Sequence, residues 1–295
     1  MTMQDEFRID AAVVHRLLVE RAPNWADLPV RRVTSSGTDN AIFRLGQRHA
    51  LRLPKRPSAR VLLGKELDWL PHFQGLSLEV PVLRFRGGAD TGLDCEFGIL
   101  DWIEGCIASP KNIGEPEVAA RDLARFLKSL HGKDSAGAPL AGDANARRGV
   151  PLDELSASTL DAIEALGDEI DAKRARTIWQ RAASARGPRA LAWLHGDLKA
   201  DNLVARNGAL CGVIDWGLAA IGDPAADYAA AWSWVDPSAR GVFRDMLGLD
   251  SEDWLRARGW ALYGAVIALS YYRGGRNPSL CHQARLTLSR LGVLS

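Results

Sequence analysis

The residue types best suited to chemistry gather in one stretch: Leu194-His195-Gly196-Asp197-Leu198-Lys199-Ala200-Asp201-Asn202-Leu203, followed by Gly212-Val213-Ile214-Asp215-Trp216-Gly217. Phosphoryl transfer asks little covalent work of a protein. It asks for a carboxylate to orient the attacking hydroxyl and for oxygen ligands that hold Mg2+ against the phosphates. Magnesium takes a few carboxylate or amide oxygens and leaves its other positions to phosphate and water. A loop carrying Asp197 and Asn202, joined by a tight hairpin to Asp215, supplies that set. The plainer reading of the same residues is a buried Asp–Asn hydrogen-bond network; the order and spacing of three matching roles favour chemistry.

The elements around this stretch have to position it. Leu203-Val204-Ala205 and Leu210 to Ile214 read as strands, with Asn207-Gly208 as the hairpin turn between them. Upstream, Ala41 to Leu45 and Ala50 to Leu53 are short strand-like runs broken at Gly46-Gln47. A helical segment follows, with Val61, Leu62, Leu67 and Leu70 on one face and Glu66 beside them, ended or kinked by Pro71. Val80 to Phe85 and Glu96 to Ile103 read as further strands, with a break at Gly105. Glu117 to His131 has helical periodicity, with Leu123, Phe126, Leu127 and Leu130 sharing a face. Lys133 to Val150 is rich in Gly, Ala and Asp and reads as a loop, Leu152 to Ala185 as helical, and the chain after Pro224 as mostly helices. A small β-rich lobe, a connector near Asp101 and a larger helical lobe follow, and ligand sites prefer clefts between such lobes.

Bulk properties exclude several classes. The 295 residues carry a formal net charge of +1, so no global field favours nucleic acid or a membrane surface. Apolar residues make up 47% and charged residues 25%, ordinary for a soluble globular protein. Met1 to Glu6 lacks the basic-then-apolar order of a signal peptide. The longest apolar stretch, Ala261 to Tyr272, is too short to span a bilayer. Cys95, Cys106, Cys211 and Cys281 show no metal-ligand spacing and read as reduced thiols, so a cytoplasmic location is expected.

His195 to Asn202 resembles the H-x-D-x-x-x-x-N catalytic loop of the protein-kinase-like fold, and Asp215-Trp216-Gly217 resembles its D-F-G, with Trp in place of Phe. Gly196 in second place, and Gly222-Asp223-Pro224-Ala225-Ala226-Asp227, resemble the aminoglycoside phosphotransferase family, related to macrolide and choline kinases. Gly37-Thr38-Asp39-Asn40-Ala41-Ile42-Phe43-Arg44 resembles that family's phosphate-loop strand pair, Leu51 to Pro54 its third strand and Phe97 to Gly105 its hinge. The resemblance implies an α+β, protein-kinase-like bilobal fold: a small β-rich N-lobe over residues 1–101 that binds nucleotide, and a larger helical C-lobe over 102–295 with the catalytic loop and acceptor site. It implies ATP and Mg2+ as cofactors, Asp197 as catalytic base, and Asn202 and Asp215 as metal ligands.

The same resemblance places Ser36, Gly37, Thr38 and Asn40 in the phosphate loop, although the stretch lacks G-x-G-x-x-G and taken alone reads as a turn. It places Leu100, Asp101 and Trp102 at the nucleotide-binding hinge. Arg52 stands where kinases usually carry a lysine that contacts phosphate, and an arginine there presents a fork rather than a point charge. Glu66 is its partner from the neighbouring helix or else a solvated helix charge. Lys199, two residues after the base, either meets the transferred phosphoryl group or is a solvated loop lysine. Asp227 anchors the catalytic loop. His195 reads as a structural residue that bonds backbone, and Asp223-Pro224 as a helix cap.

The expected activity is therefore transfer of the γ-phosphoryl group of ATP to a hydroxyl of a small molecule, antibiotic-like or metabolite. A protein kinase is disfavoured because only Gly217 to Gly222 separates Asp215-Trp216 from Asp223-Pro224, and no A-P-E follows. A non-catalytic nucleotide-binding pseudokinase is disfavoured because Asp197, Asn202 and Asp215 are all present. The expected partner is a small-molecule hydroxyl acceptor, with no nucleic acid and no membrane, and a chain acting as a monomer or weak dimer. Asp236 to Ser295 carries eight arginines against five acids, which disfavours a polycationic acceptor. The acidic run from Asp153 to Asp171 opposes that, and Trp232, Trp234, Trp254, Trp260, Tyr263, Tyr271 and Tyr272 are either core or a flat surface for an apolar or sugar-like acceptor.

Overall fold

The computed structural model describes residues 7–34, 37, 39–88 and 95–295. The chain forms two compact units, one made of Met1–Gly75, Glu79–Glu104 and Gly212–Gly217, the other of Leu76–Leu78, Gly105–Cys211 and Leu218–Ser295.

The first unit opens with helix α1 (Ala11–Arg21), whose first turn is capped by the Asp10 carboxylate accepting the Val13 N–H at 2.9 Å. A five-stranded antiparallel sheet follows: β1 (Val30–Arg32), β2 (Asn40–Leu45), β3 (His49–Pro54), β4 (Leu83–Gly87) and β5 (Phe97–Asp101), in the order β1-β2-β3-β5-β4. β2 and β3 pair with Leu45 opposite His49, so the hairpin turns at Gly46 as the sequence suggests. The buried residues Phe43, Leu45, Leu51, Leu53, Phe97 and Ile99 from the sheet and Leu17 and Leu18 from α1 form one apolar cluster. β4 begins at Leu83 rather than Val80, because Pro81 has no N–H to give a ladder.

Between β3 and β4, α2 (Arg60–Trp69) buries Leu63, Glu66 and Leu67. The sequence reading put Val61 on the inner face; it is 64% exposed, and Leu63 holds that place. The spacing 63, 66, 67, 70 satisfies the helical period better than a face that begins at 61. α2 ends where Pro71 starts a short 3-10 turn, Leu70–Phe73.

The second unit carries β6 (Cys106–Ile107), then α3 (Pro116–His131), strongly amphipathic, with Leu123, Phe126, Leu127 and Leu130 fully buried. The segment read as one helical region, Leu152 to Ala185, is two helices, α4 (Ser156–Leu166) and α5 (Ala172–Ala183). Gly167, at φ +55°, breaks them apart. β7 (Ala192–Leu194) leads into the catalytic-loop sequence; β8 (Leu203–Arg206) and β9 (Ala209–Val213) form the hairpin after it, with Asn207 and Gly208 both at positive φ. The chain passes into the first unit within β9 and returns before β10 (Ala220–Gly222), which pairs with β7. The remainder is helical, as read: α6 (Ala225–Tyr228), α7 (Ala230–Ser233), α8 (Arg240–Leu247), α9 (Ser251–Tyr272) and α10 (Pro278–Leu291).

Candidate active site

In the second unit, the segment from His195 to Asn202 leaves β7 through Gly196, at φ +83°. A Cβ there would lie 2.8 Å from the Leu218 carbonyl oxygen, so both conformation and space demand glycine. The Asp227 carboxylate, on α6, accepts the backbone N–H of His195 at 2.7 Å and of Gly196 at 2.8 Å. Burial pushes that carboxyl up to about 7, against the pull of these two N–H donors. The His195 ring is fully buried, and its Nδ1 accepts the Asp197 N–H at 3.3 Å.

Three expected site residues meet here. Lys199 Nζ lies 2.6 Å from Asp197 Oδ2, and Asn202 Nδ2 donates to the same oxygen at 2.9 Å and to the Asp197 carbonyl at 2.8 Å. Oδ1 of Asp197 accepts no hydrogen bond among the described residues. Because the Asn202 amide nitrogen donates to Asp197, its side-chain oxygen is the group left to accept. The Asp197 side chain is 24% exposed, so a substrate hydroxyl can reach it.

In the first unit, Arg52, Glu66 and Asp215 meet. One guanidinium spans two carboxylates: Nη1 to Glu66 Oε1 at 2.6 Å and Nη2 to Asp215 Oδ1 at 2.6 Å. Glu66 Oε1 also accepts the Trp216 N–H at 3.1 Å. Burial opposes the Arg52 charge, but the carboxylates of Glu66 and Asp215 outweigh it and hold its pKa above the ordinary value. Burial likewise pushes Glu66 up, with Arg52 pulling the other way. Asp215 sits at φ +69°, in the left-handed region, a costly conformation of the kind that persists at functional sites. Trp216, in the usual place of Phe, is fully buried and stacks on Phe73 at 4.4 Å.

The remaining expected nucleotide residues are placed as follows. Asn40 starts β2 and is 8% exposed, with Oδ1 buried and unbonded among the described residues. The Gly37 carbonyl accepts Lys55 Nζ at 2.6 Å. Ser36 and Thr38 lie outside the described residues. Leu100 is 3% exposed, in the sheet. The Asp101 carboxylate is taken by Arg84, at 2.6 to 3.0 Å, and by His49 at 3.3 Å; the Arg84 hydrogen bonds hold it below the usual carboxylate range. Trp102 lies under the Arg44 guanidinium, 4.2 Å from the ring centroid.

Sequence reasoning missed two supports. The sequence reading made Asp223 the cap with Pro224 first in the helix; α6 has Pro224 as its N-cap residue. Asp223, one position earlier, accepts the Ala225 N–H at 3.0 Å and pairs with the buried Arg256 at 2.7 Å, which pairs in turn with Asp253. Only the i,i+3 spacing of Asp253 and Arg256 hinted at this. Ser233 Oγ donates to the Leu198 carbonyl at 3.1 Å, bracing the catalytic loop from α7; no pattern in the sequence marks it.

The oxygens of Asp215 and Asn202 are hard donors of the kind Mg2+ takes. Among the described residues no group of three or more His, Cys, Asp or Glu could hold a metal by itself.

Residues 30–260 match the family model described as the phosphotransferase enzyme family. No curated protein sequence matches the chain. Among solved structures, the ADP-bound aminoglycoside phosphotransferase APH(2'')-Ib aligns at 21% identity and TM-score 0.63, over 96% of this chain and 98% of that one. The GDP complex of aminoglycoside 2'-phosphotransferase-IIIa aligns at 19% identity and TM-score 0.70, over 95% and 98%. The type I macrolide 2'-phosphotransferase aligns at 19% identity and TM-score 0.64, over 96% and 97%. With the family model covering most of its length and these folds matching end to end, the chain belongs to the phosphotransferase enzyme family and has an α+β, protein-kinase-like fold.

Proposed function

We propose that the protein transfers the γ-phosphoryl group of ATP to a hydroxyl of a small molecule, with Asp197 orienting that hydroxyl. The observation that carries this is the division of labour on one carboxylate. Lys199 and Asn202 hold Asp197 Oδ2, while Oδ1 is open to a donor hydroxyl. Such an arrangement fixes the carboxylate's rotamer and leaves one oxygen to receive the proton as the acceptor oxygen attacks. Lys199, beside that oxygen, also offers positive charge to the oxygens of the transferring phosphoryl group.

We assign Asn202 and Asp215 to Mg2+, which when bound would neutralise phosphate charge during transfer. Arg52 holds Asp215 in place and is assigned to the phosphates as a positive charge, its fork being taken by Glu66 and Asp215. Gly37 and Asn40, with Ser36 and Thr38, are assigned to the phosphates, and Leu100, Asp101 and Trp102 to the base and ribose side. The Asp101 and Trp102 side chains are engaged by Arg84 and Arg44, so their contribution is backbone and shape. The nucleotide-bound state of two of the matched structures and the acceptor named for the third support a nucleotide donor and a hydroxyl acceptor. We further assign residues 1–101 to nucleotide binding and 102–295 to catalysis and the acceptor. The lack of paired cysteine spacing in the sequence supports the proposed cytoplasmic setting, and no described helix is long and apolar enough to cross a membrane.

The test is phosphate transfer from γ-labelled ATP to a panel of hydroxylated antibiotics and metabolites, narrowed first by thermal shift with Mg2+ and a non-hydrolysable ATP analogue. Label appearing in an acceptor, dependent on Asp197, supports the reading. Tight ATP binding without transfer to any panel member or to water would favour a pseudokinase.

A further inference from the structure

Four guanidiniums of the second unit converge on two helix ends. Arg240 Nε donates to the Ala231 carbonyl at 2.7 Å and Arg290 Nη1 to the adjacent Trp232 carbonyl at 3.1 Å, both in the single turn of α7. Arg258 Nη2 reaches the Leu291 carbonyl at 3.4 Å, at the end of α10, next in sequence to Arg290. Arg174, from α5, lies against Gly292 closely enough that a Cβ there would be 2.9 Å from its Nη2. None of the four has a carboxylate within 4.0 Å among the described residues, whereas Arg176, Arg256 and Arg285 in the same unit do. Asp171, at the start of α5, accepts the Arg174 backbone N–H and not its guanidinium.

A helix C-terminus attracts cations, and that accounts for part of the gathering. Each end is worth about half a negative charge, less for a helix as short as α7. Among the described residues Asp236 is the carboxylate that favours the charge of Arg240 and Arg290. Four cations against one carboxylate and two helix ends leave an excess of about two positive charges. The strain is visible: burial lowers the pKa of Arg240, with Arg290 and Arg258 adding to the effect, and burial lowers that of Arg258, with Arg174 and Arg181 adding. Nη2 of Arg240 is buried and has no hydrogen-bond partner. Arg174 is exposed, but like charges as half-buried as Arg240, Arg258 and Arg290 are costly unless a counter-charge joins them.

We propose that Arg174, Arg240, Arg258 and Arg290 form an oxyanion-binding site that takes a phosphate or carboxylate group, borne either by the acceptor or by a free anion. Guanidinium forks suit such groups, binding them through paired N–H donors.

The test is calorimetry and thermal shift with inorganic phosphate and with glycerol 3-phosphate, at ionic strength matched with chloride. A saturating non-hydrolysable ATP analogue with Mg2+ keeps the nucleotide site filled. Wild type should gain about 2–5 °C in Tm at ten times Kd. Arg290→Gln and Arg258→Gln should each weaken binding about tenfold, the scale of one charge-assisted hydrogen bond. Arg258 makes only one long bond, so its variant keeps the test valid if removing the Arg290 cap unfolds the end of α7. Arg285→Gln, which breaks a pair with Glu169 instead, should leave the response intact. A stronger response to glycerol 3-phosphate than to inorganic phosphate would identify an acceptor-borne group; an equal response would identify a free anion. Phosphate also stabilises proteins generally, so equal responses in all four proteins, or none beyond chloride, would overturn the site. The readout needs no turnover, so it stands or falls separately from the proposed reaction.

Discussion

Asp197 Oδ2 receives both Lys199 and Asn202, and the kinetic consequences of removing each partner differ. Asp197→Ala should leave nucleotide affinity nearly intact and cut kcat about 10²-fold or more, the scale of a lost positioned base. Turnover near wild type with the true acceptor would rule the role out. Lys199→Met should lower kcat with little change in the KM for ATP, because its charge counts most as the phosphoryl group moves. An unchanged kcat would leave Lys199 a partner of Asp197 in the resting enzyme and nothing more. Asp215 is different in kind: its carboxylate is already matched to a cation, the Arg52 guanidinium at 2.6 Å. Asp215→Asn should flatten the dependence of ATP affinity on Mg2+ in calorimetry, and an unchanged dependence would place the metal elsewhere. The meeting of Asp197, Lys199 and Asn202 was legible because Asp, Asn and Lys stand at spacings that few other chemistries use. Asp223's bond to Arg256 and Ser233's to Leu198 were not, since each joins residues 33 and 35 positions apart with no periodic pattern between them.

At the scale of elements, α3 ends in a half-buried titratable group. His131 packs its ring against Tyr228 at 5.6 Å, its Nε2 is buried without a partner, and burial pushes its pKa down to about 4. The folded protein therefore holds His131 neutral where the unfolded chain would protonate it. Its contribution is complete above about pH 6.5 and is lost as pH falls toward 4. Urea unfolding at pH 7.5 and 4.5 should show wild type losing on the order of 2 kcal/mol more than His131→Phe, which keeps the aromatic contact and removes the proton. Glu66 and Asp227, raised by burial, shift stability the opposite way in both proteins and cancel in the difference. Equal losses would mean His131 is solvated in the fold. Elements were readable where one periodicity dominated. α3 shows its buried stripe directly, and the β2–β3 and β8–β9 hairpins announce their turns through Gly46 and Asn207-Gly208. The reading failed where one residue changed the outcome: Gly167 splits what looked like a single helix, and a run of Val61, Leu62 and Leu63 hides which of the three faces inward.

At the scale of the whole molecule the open question is the acceptor, and its charge can be argued. The acidic run from Asp153 to Asp171 was the strongest sequence feature in favour of a polycation. The structure spends much of it internally: Glu154 pairs with Arg147, Glu164 with Arg176 and Glu169 with Arg285, and Asp171 caps α5. The aromatic residues offered as an acceptor surface are mostly packing, with Trp232, Trp234 and Trp260 at 4%, 8% and 3% exposure. What remains is the positive excess of the C-terminal helices, with Arg240, Arg258 and Arg290 having no carboxylate within 4.0 Å among the described residues and Asp236 alone favouring the charge of Arg240 and Arg290 among them. An ammonium-rich ligand would add like charge to that excess, and each such contact costs more in a partly desolvated site than in water. The expected acceptor therefore carries at most one or two positive charges, as a macrolide-like or sugar-like compound does. Steady-state kinetics across hydroxylated acceptors graded from neutral to fourfold cationic should show kcat/KM falling with charge, most steeply at low ionic strength, where screening is weakest. Efficient turnover of kanamycin-type polycations, at or above about 10⁴ M⁻¹s⁻¹, would mean that the acceptor does not feel these arginines.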